Sequence, residues 1–400
     1  MHRIVAPKII PIDEHALDQS LIDKDALEVI FQLQNEGHVA YLVGGGVRDL
    51  LLGKTPKDFD ISTSAKPEEI KRIFGRRCLL IGKRFRLAHL RYDKKILEVS
   101  TFRSGDLESS TLIVRDNRFG TPEEDVLRRD FTINALFYDP KTHTILDYVE
   151  GVPDIKKGIL RTIGDPYVRF KQDPVRMIRL LKFLARFGFD IEQKTMRALC
   201  SCKEEILKSA PARILEELFK MLESASAERF FRVMKAHDFL DILFPCFHHF
   251  FTSPYAERGF EYLNAIDTLT AKHQNQIDRN VLFCSLIFPI LECELEMLSS
   301  DRGKPISFTE IMQLSHSLLQ GINSSSFAHF PKKLLAITHY ILSMQFKLTP
   351  LTQRTKLSHR TLMHEDFPKA VDFLHIRSTI HPELDAQYRQ IAKELEHDYS

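Results

Sequence analysis

The residues best placed to do chemistry lie in the stretch YLVGGGVRDLLLGKTPKDFD, residues 41–60. It combines a glycine turn with Arg48 and with two aspartates, Asp58 and Asp60, that alternate along a predicted strand. Glycine lets the backbone approach a phosphate closely, and alternate residues of a strand point to the same side. Two adjacent carboxylates repel each other unless a cation lies between them, and Mg²⁺ prefers oxygen ligands. The stretch therefore predicts phosphoryl or nucleotidyl transfer in which two metal ions activate a hydroxyl and stabilise the leaving pyrophosphate.

Two common nucleotide-binding motifs do not fit this stretch. The segment GGGVRD has Asp49 where the last glycine of G-x-G-x-x-G should stand. The segment Gly53-Lys54-Thr55 ends like a P-loop, but Arg48 occupies the position of its opening glycine. The sequence therefore supports neither a Rossmann nor a P-loop site.

A second candidate cluster is RRDFTINA, residues 128–135. Arg128 and Arg129 suit a triphosphate, because guanidinium groups pair with phosphate through two hydrogen bonds. Asp130 is a candidate third carboxylate, and it could equally orient an arginine. The alternative is an ion-pair cluster on the surface that opens a helix.

A third candidate cluster is QDPVRMIR, residues 172–179. Asp173, Arg176 and Arg179 are three residues apart, so neighbours share a helix face. An Asp/Arg pair accepts and donates hydrogen bonds as adenine and cytosine require, and it mismatches guanine and uracil. The alternative is a helix cap, since Asp followed by Pro is a common start of a helix.

Positive charge is concentrated between residues 71 and 103, and it includes Lys83, Arg84 and Arg86. Such a run is usually a solvated face, but beside a nucleotidyl-transfer site it is expected to guide an RNA strand. Phe85 and Phe102 are candidates for stacking on bases or for filling the core.

The elements that must position these clusters follow from hydrophobic period and turn residues. Helices are predicted at 24–37, 47–53 and 66–75, and strands at 38–43, 57–63, 78–82, 85–92 and 96–102. After about residue 165 helical periodicity dominates, as in DPVRMIRLLKFLARFG and ARILEELFKMLE. The sequence predicts a catalytic α/β head followed by an all-helical body.

Composition describes an ordered globular protein. The chain has 400 residues, of which 44% are hydrophobic and 28% charged, with a net charge of +2. Affinity for a polyanion must therefore come from clustered charge rather than from the total. Six cysteines show no zinc-type pairing. The first residues contain no apolar run long enough for a signal peptide, and the apolar stretch 281–291 is too short to span a bilayer. We expect a reduced, cytoplasmic protein.

Taken together and in this order, the clusters resemble the bacterial poly(A) polymerase and tRNA nucleotidyltransferase family, the class II template-independent nucleotidyltransferases. The residues that carry the resemblance are LVGGGVRD at 42–49, DFD at 58–60, LEVSTFR at 97–103, RRDFTINAL at 128–136 and QDPVRMIRLLKF at 172–183. The segment LLIGKRFRLAHL at 79–90 is similar to a signature of the poly(A)-adding members. Gln172 stands where the family usually has glutamate.

The resemblance implies a polymerase-β-like head at residues 1–165, a nucleotide-recognition and RNA-binding neck at 166–255, and a helical body and tail at 256–400. It implies that Asp58 and Asp60 bind Mg²⁺ and that Asp130 belongs to the catalytic site, with Glu98 as a rival third carboxylate. The implied nucleotide-binding residues are Gly45, Arg48, Arg128, Arg129, Asp173, Arg176 and Arg179. Lys83, Arg84 and Arg86 are expected to bind RNA.

The function that the resemblance implies is transfer of AMP from ATP to RNA 3′ ends by a two-metal mechanism, in RNA polyadenylation and decay. The expected partners are ATP and the 3′ ends of mRNA, with tRNA also open, and neither a membrane nor DNA is expected. The alternatives are a CCA-adding or A-adding tRNA nucleotidyltransferase and a non-catalytic RNA-binding protein of the same fold.

Overall fold

The chain divides into two compact units. The first consists of Met1–Leu180 and Phe187–Glu205, and the second of Leu181–Arg186 and Ile206–Ser400. The computed structural model describes residues 6–82, 87–93, 95–105, 112, 118–272, 277–303, 306–349, 357 and 359–398. The three-part division at residues 165 and 255 stays a prediction.

The first unit contains a mixed β-sheet. The strands of this unit are β1 Lys8–Ile10, β2 Ala40–Val43, β3 Asp60–Thr63, β4 Cys78–Ile81, β5 Leu87–Tyr92, β6 Lys95–Thr101, β7 Arg103–Ser104, β8 Arg118–Phe119, β9 Leu136–Asp139, β10 Thr144–Asp147, β11 Ile159–Leu160 and β12 Asp190–Ile191. Eight of them form the large sheet, in the order β1-β10-β9-β2-β3-β6-β5-β4. Within the large sheet, β3 and β6 run parallel, with Ile61 opposite Val99. Asp60 and Glu98 therefore lie side by side, one residue before that pair.

Several helices of the first unit begin or end at capping residues that the sequence supplies. The helices are α1 Lys24–Asn35, α2 Gly45–Leu51, α3 Pro67–Phe74, α4 Pro122–Leu127, α5 Gly151–Lys157, α6 Pro166–Gln172 and α8 Gln193–Cys202, together with α7 Val175–Phe187, whose residues 181–186 belong to the second unit. Asp23 caps α1 by accepting hydrogen bonds from two backbone N–H groups of its first turn. Pro67 opens α3 and Gly75 ends it with a φ of 56°, as the sequence predicts.

The predicted strand at 57–63 is shorter in the structure than in the sequence analysis. It begins at Asp60, which pairs with Val43 at the end of β2. The chain then turns away at Gly44, whose φ is 72°, so β2 offers no partner for the residues before Asp60. Asp58 consequently lies in the loop that leads into β3.

A compact apolar cluster lies beside the end of β2 and below the second candidate cluster. Its buried members are Val43, Phe102, Val126, Ala135, Phe137 and Ile163. Phe102 and Phe137 contact edge to face at 5.7 Å between ring centroids, a favourable aromatic geometry. Phe102 therefore fills the core and does not stack on bases, whereas Phe85 lies outside the described residues.

The second unit is helical throughout its described part. Its helices are α9 Pro211–Leu222, α10 Ala227–Ala236, α11 Phe239–Leu243, α12 Pro245–Thr252, α13 Ala256–Lys272, α14 Arg279–Arg302, α15 Phe308–Ser325, α16 Lys332–Leu348, α17 His359–Leu362, α18 Phe367–Ile380 and α19 Asp385–Asp398. Phenylalanines fill its core, as in the contacts of Phe251 with Phe260 and of Phe283 with Phe330. Within the described ranges, none of the helices combines the length and apolarity needed to cross a membrane.

Candidate active site

The glycine turn packs directly against the arginines of the first two clusters. A side chain at Gly44 would come within 3.4 Å of Nη1 of Arg129, and one at Gly45 would come equally close to Nη2 of Arg48. A side chain at Gly46 would meet the carbonyl oxygen of Asp58 at 3.5 Å. These are ordinary contact distances for a side chain, so it is the φ of 72° at Gly44 that favours glycine in this turn.

Arg48 is buried beneath the turn. Its Nη2 lies 2.8 Å from Oδ1 of Asp49, and its Nη1 donates to the side chain of Asn134. The guanidinium also lies 4.7 Å from the ring centroid of Phe187. These contacts fix the orientation of Arg48 at the base of the turn.

The carboxylates of Asp58, Asp60 and Glu98 are all exposed to solvent on the side of the sheet where β3 begins. Asp60 is surrounded by protein atoms on its other sides, and its pKa is raised to about 6. Burial is the main cause, the negative charge of Glu98 comes next, and Asp58 adds to it, while Arg129 acts in the opposite direction. The pKa of Asp60 is thus raised mainly by burial, and the nearby charges of Glu98 and Asp58 add to that effect.

His89 contacts Glu98 from the neighbouring strand. The two residues are paired across β5 and β6, and Nε2 of His89 lies 3.4 Å from Oε1 of Glu98. The contact limits the orientations of the Glu98 carboxylate, which lies on the same face of the sheet as Asp60.

Arg128 and Arg129 are held by one buried carboxylate. Asp125 is 1% exposed, and its Oδ1 accepts from Arg128 while its Oδ2 accepts from Nη2 of Arg129 at 2.8 Å. Burial acts to raise the pKa of Asp125, but the two arginines outweigh it and lower the pKa. Nη2 of Arg129 also reaches the hydroxyl of Ser62 on β3 at 3.4 Å, so this arginine lies towards the carboxylate cluster.

Asp130 lies inside the protein, away from the solvent that reaches the other three carboxylates. It is 4% exposed, and its Oδ2 lies 2.9 Å from Nη2 of Arg179. Its Oδ1 accepts from the side chain of Asn134 and from the backbone N–H of Phe131. Burial opposes ionisation, but Arg179 and Arg176 outweigh it, so the pKa of Asp130 lies below its usual value.

The third cluster begins in the junction between α6 and α7. Asp173 follows the last residue of α6, and its carboxylate lies 3.9 Å from Nε of Arg176. Arg176 and Arg179 both lie near Asp130, which confirms that their spacing places them on one side. Arg176 is 6% exposed, and its Nη1 has no hydrogen-bond partner within the described ranges of the chain.

Sequence reasoning assigned no role to Asn134, although it lies within the second cluster. Its side-chain oxygen accepts from Arg48, its amide donates to Asp130 at 3.2 Å, and its carbonyl accepts from Nη1 of Arg129. Asn134 thus joins the first two clusters. Lys83, Arg84 and Arg86 lie outside the described residues, so their proposed contact with RNA stays a prediction.

The donor set suits Mg²⁺ bound by two carboxylates. Asp58 and Asp60 are exposed. Burial is the main cause of the raised pKa of Asp60, and the charges of Glu98 and Asp58 contribute a repulsion that a cation would relieve. In the part of the chain that the structure describes, no group of three or more His, Cys, Asp or Glu side chains is arranged to hold a metal ion. Mg²⁺ commonly takes one or two protein carboxylates and completes its shell with water and substrate phosphates, so the two aspartates fit.

Comparison with known proteins decides the family. Residues 40–161 match the model of the poly A polymerase head domain, and residues 188–251 match that of a probable RNA and SrmB-binding site of polymerase A. Poly(A) polymerase I of Escherichia coli O157:H7 is 34% identical over 96% of this chain and 84% of its own length. The chain belongs to the poly(A) polymerase family. The predicted family, and with it a nucleotidyltransferase enzyme, is confirmed.

Other relatives and solved structures agree with this assignment. The CCA-adding enzyme of Staphylococcus aureus strain MRSA252 is 35% identical over 58% of this chain and 58% of its own. The crystal structure of the Bacillus stearothermophilus CCA-adding enzyme in complex with CTP is 24% identical, covers 92% of this chain and 82% of its own, and has a TM-score of 0.62. This likeness confirms the predicted fold, an α/β head followed by helices.

Proposed function

We propose that this protein is a polynucleotide adenylyltransferase that transfers AMP from ATP to RNA 3′ ends and releases pyrophosphate. The observation that carries the proposal is the extent of the likeness to Poly(A) polymerase I, over 96% of this chain and 84% of the relative from Escherichia coli strain CFT073. The likeness to the Staphylococcus aureus CCA-adding enzyme extends over 58% of each chain. We therefore prefer polyadenylation to CCA addition.

Asp58 and Asp60 are the proposed ligands of Mg²⁺, and Glu98 is the proposed third acid. The exposure of Glu98 and its effect on the pKa of Asp60 support this choice over Asp130. Asp130 is instead assigned to orient Arg179 and Asn134, which are its contacts. When bound, Mg²⁺ supplies neutralising charge for the triphosphate and for the attacking hydroxyl.

The protein's own groups align the reaction and balance its charge. In the proposed step the RNA 3′-hydroxyl attacks the α-phosphorus of ATP, the bond to the β-phosphate breaks, and pyrophosphate leaves. Arg128 and Arg129, held through Asp125, face the triphosphate. Alignment and charge stabilisation of this kind supply most of the rate in such reactions, and no covalent intermediate with the enzyme is needed.

Base recognition is assigned to Asp173 and Arg176, with Arg179 beside them. The supporting observation is Nη1 of Arg176, a buried donor without a hydrogen-bond partner among the described residues. An unsatisfied buried donor costs free energy, and an acceptor on the edge of a nucleotide base would remove that cost. An Asp/Arg pair accepts adenine and rejects guanine.

The proposal is tested by extension of an RNA oligonucleotide with ATP and Mg²⁺. We expect Asp58→Ala and Asp60→Ala to abolish extension while thermal unfolding remains cooperative. Asp13→Ala, which changes an exposed carboxylate of the same unit, is the matched control and should extend like wild type. Full extension by either active-site variant would overturn the assignment.

A further inference from the structure

Three consecutive backbone carbonyls lead into the arginine cluster, and two arginines of α6 and α7 hold all three. Nη2 of Arg169 donates to the carbonyl of Leu127 at 3.2 Å and to that of Arg129 at 2.9 Å. Nη2 of Arg176 donates to the carbonyl between them, that of Arg128, at 2.8 Å. Residues 127–129, the arginine segment, are therefore bonded through all three of their carbonyls to side chains of α6 and α7.

Arg169 is a buried arginine whose guanidinium is hydrogen-bonded to the backbone of the arginine segment. It is 2% exposed, and its Nη1 donates to Oε1 of Gln172 at 2.8 Å. Burying a guanidinium is costly unless its donors are hydrogen-bonded. Its guanidinium donates to two carbonyls from Nη2 and to Gln172 from Nη1. The single ammonium group of a lysine cannot reach all three acceptors with the same geometry.

The side chains that leave the arginine segment are the proposed triphosphate ligands. Arg128 and Arg129 are held at their guanidinium ends by Asp125, and their backbone is held by Arg169 and Arg176. A side chain fixed at both ends has little freedom to lose when a ligand binds. Loss of either set of contacts is expected to weaken binding of the triphosphate by Arg128 and Arg129.

We propose that Arg169 is a positioning residue for the triphosphate, acting through the backbone of the arginine segment on Arg128 and Arg129. Because Arg176 bonds to the same segment and is assigned to the base, the segment also couples base recognition to the triphosphate. The inference rests on the proposed function, since it assumes that the triphosphate lies at these arginines.

The test is steady-state extension by the full-length protein with ATP and an RNA oligonucleotide. Arg169→Lys keeps the charge but loses the fork, and we expect the KM for ATP to rise about tenfold, equivalent to about 1.4 kcal/mol. The KM for RNA should not change. Arg161→Lys is the matched control. The side chain of Arg161 pairs with Asp154 and Glu192 and does not contact the arginine segment. The KM of this variant for ATP should equal that of wild type.

A double-mutant cycle separates positioning from general damage. If Arg169 acts through Arg128 and Arg129, adding Arg169→Lys to the variant that carries both Arg128→Lys and Arg129→Lys should leave its KM for ATP nearly unchanged. Multiplied effects, or an unchanged KM in Arg169→Lys, would overturn the inference.

A milder variant covers the case in which Arg169→Lys does not fold. Gln172→Leu removes the acceptor of Nη1 of Arg169 and leaves Arg169 itself in place. We expect the KM for ATP to rise about threefold, because one hydrogen bond is lost. A KM equal to that of wild type would overturn the inference. Failure of the wild-type protein to extend RNA with ATP would instead overturn the proposed function.

Discussion

Glu98 lies beside Asp60 on the neighbouring parallel strand, and its charge is, after burial, the largest influence that raises the pKa of Asp60 to about 6. Asp130, the carboxylate that the sequence favoured, is buried and forms an ion pair with Arg179. The pair Asp60 and Glu98 therefore defines the acidic edge at which we place the chemistry.

Glu98→Gln should lower the pKa of Asp60, because it removes the neighbouring negative charge and keeps the shape of the side chain. The pKa is measured from the carboxyl carbon signals of the metal-free protein during a pH titration by NMR. Glu98→Gln should also slow AMP transfer strongly. Asp130→Asn is the comparison, since Asp130 is not among the groups that shift the pKa of Asp60. An unchanged pKa in Glu98→Gln would refute the coupling.

Asp60→Asn should stabilise the metal-free protein at neutral pH while abolishing transfer. The pKa of Asp60 is raised in the folded state from 3.8 to about 6, so the folded state binds the proton more tightly than the unfolded state. Its contribution to stability is present at low pH and is lost as the pH rises through this window. In EDTA the Tm of Asp60→Asn should exceed that of wild type at pH 7.5 and equal it at pH 3.

Mg²⁺ should give wild type a higher Tm than Asp60→Asn at pH 7.5, because a cation that binds the folded state stabilises it. The Tm of wild type should rise with Mg²⁺ concentration at pH 7.5, and the Tm of Asp60→Asn should rise less. If the Tm of wild type did not change with Mg²⁺ concentration even when ATP was present, this result would argue against a metal site at these aspartates.

Arg176→Lys should reduce discrimination between bases. Lysine lacks the two-pronged guanidinium that can reach both the carbonyl of Arg128 and a base. The kcat/KM for ATP divided by the kcat/KM for GTP should therefore fall about tenfold, which corresponds to a loss of about 1.4 kcal/mol. Arg128→Lys is the matched comparison, because a triphosphate ligand should lower kcat/KM for both nucleotides by similar factors. Equal losses for ATP and GTP in Arg176→Lys would remove Arg176 from base recognition.

Arg377→Met should destabilise the helical unit. Arg377 is buried, with its guanidinium 3.5 Å from Glu292 and 4.5 Å from the ring centroid of Phe288. Removing one partner of a buried ion pair typically costs about 3–5 kcal/mol, measured as the free energy of unfolding in urea. Arg389→Met, which removes an exposed pair with Asp385, should change it little. Equal effects of the two substitutions would contradict this account of the core.

The elements that the sequence predicted well are those set by local chemistry. The helix predicted at 24–37 forms as α1, and Pro67 and Gly75 bound α3, because caps and positive φ angles depend on residues next to each other in the chain. The convergence of the glycine turn with DFD was likewise predicted, since few residues separate them.

The contacts that the sequence did not predict join residues far apart in the chain. Arg169 reaches carbonyls about forty residues earlier, and Asn134 reaches Arg48 across an even longer separation. Asp125 is one of three acidic residues in the first turn of α4, and the sequence does not distinguish it as the one that pairs with both arginines. Asp58 fell outside the strand because the course of β2 after Gly44 is a tertiary feature. Periodicity and spacing contain no information on such pairings.

The most direct test of the central claim is primer extension by the purified protein with Mg²⁺ and either ATP or CTP alone. Two RNAs are compared, an unstructured oligonucleotide and a tRNA transcript that lacks its CCA end. A polynucleotide adenylyltransferase should add long A-tails to both RNAs and make little use of CTP. Incorporation of CTP that stops after a few nucleotides, and only on the tRNA, would contradict the account and identify a CCA-adding enzyme.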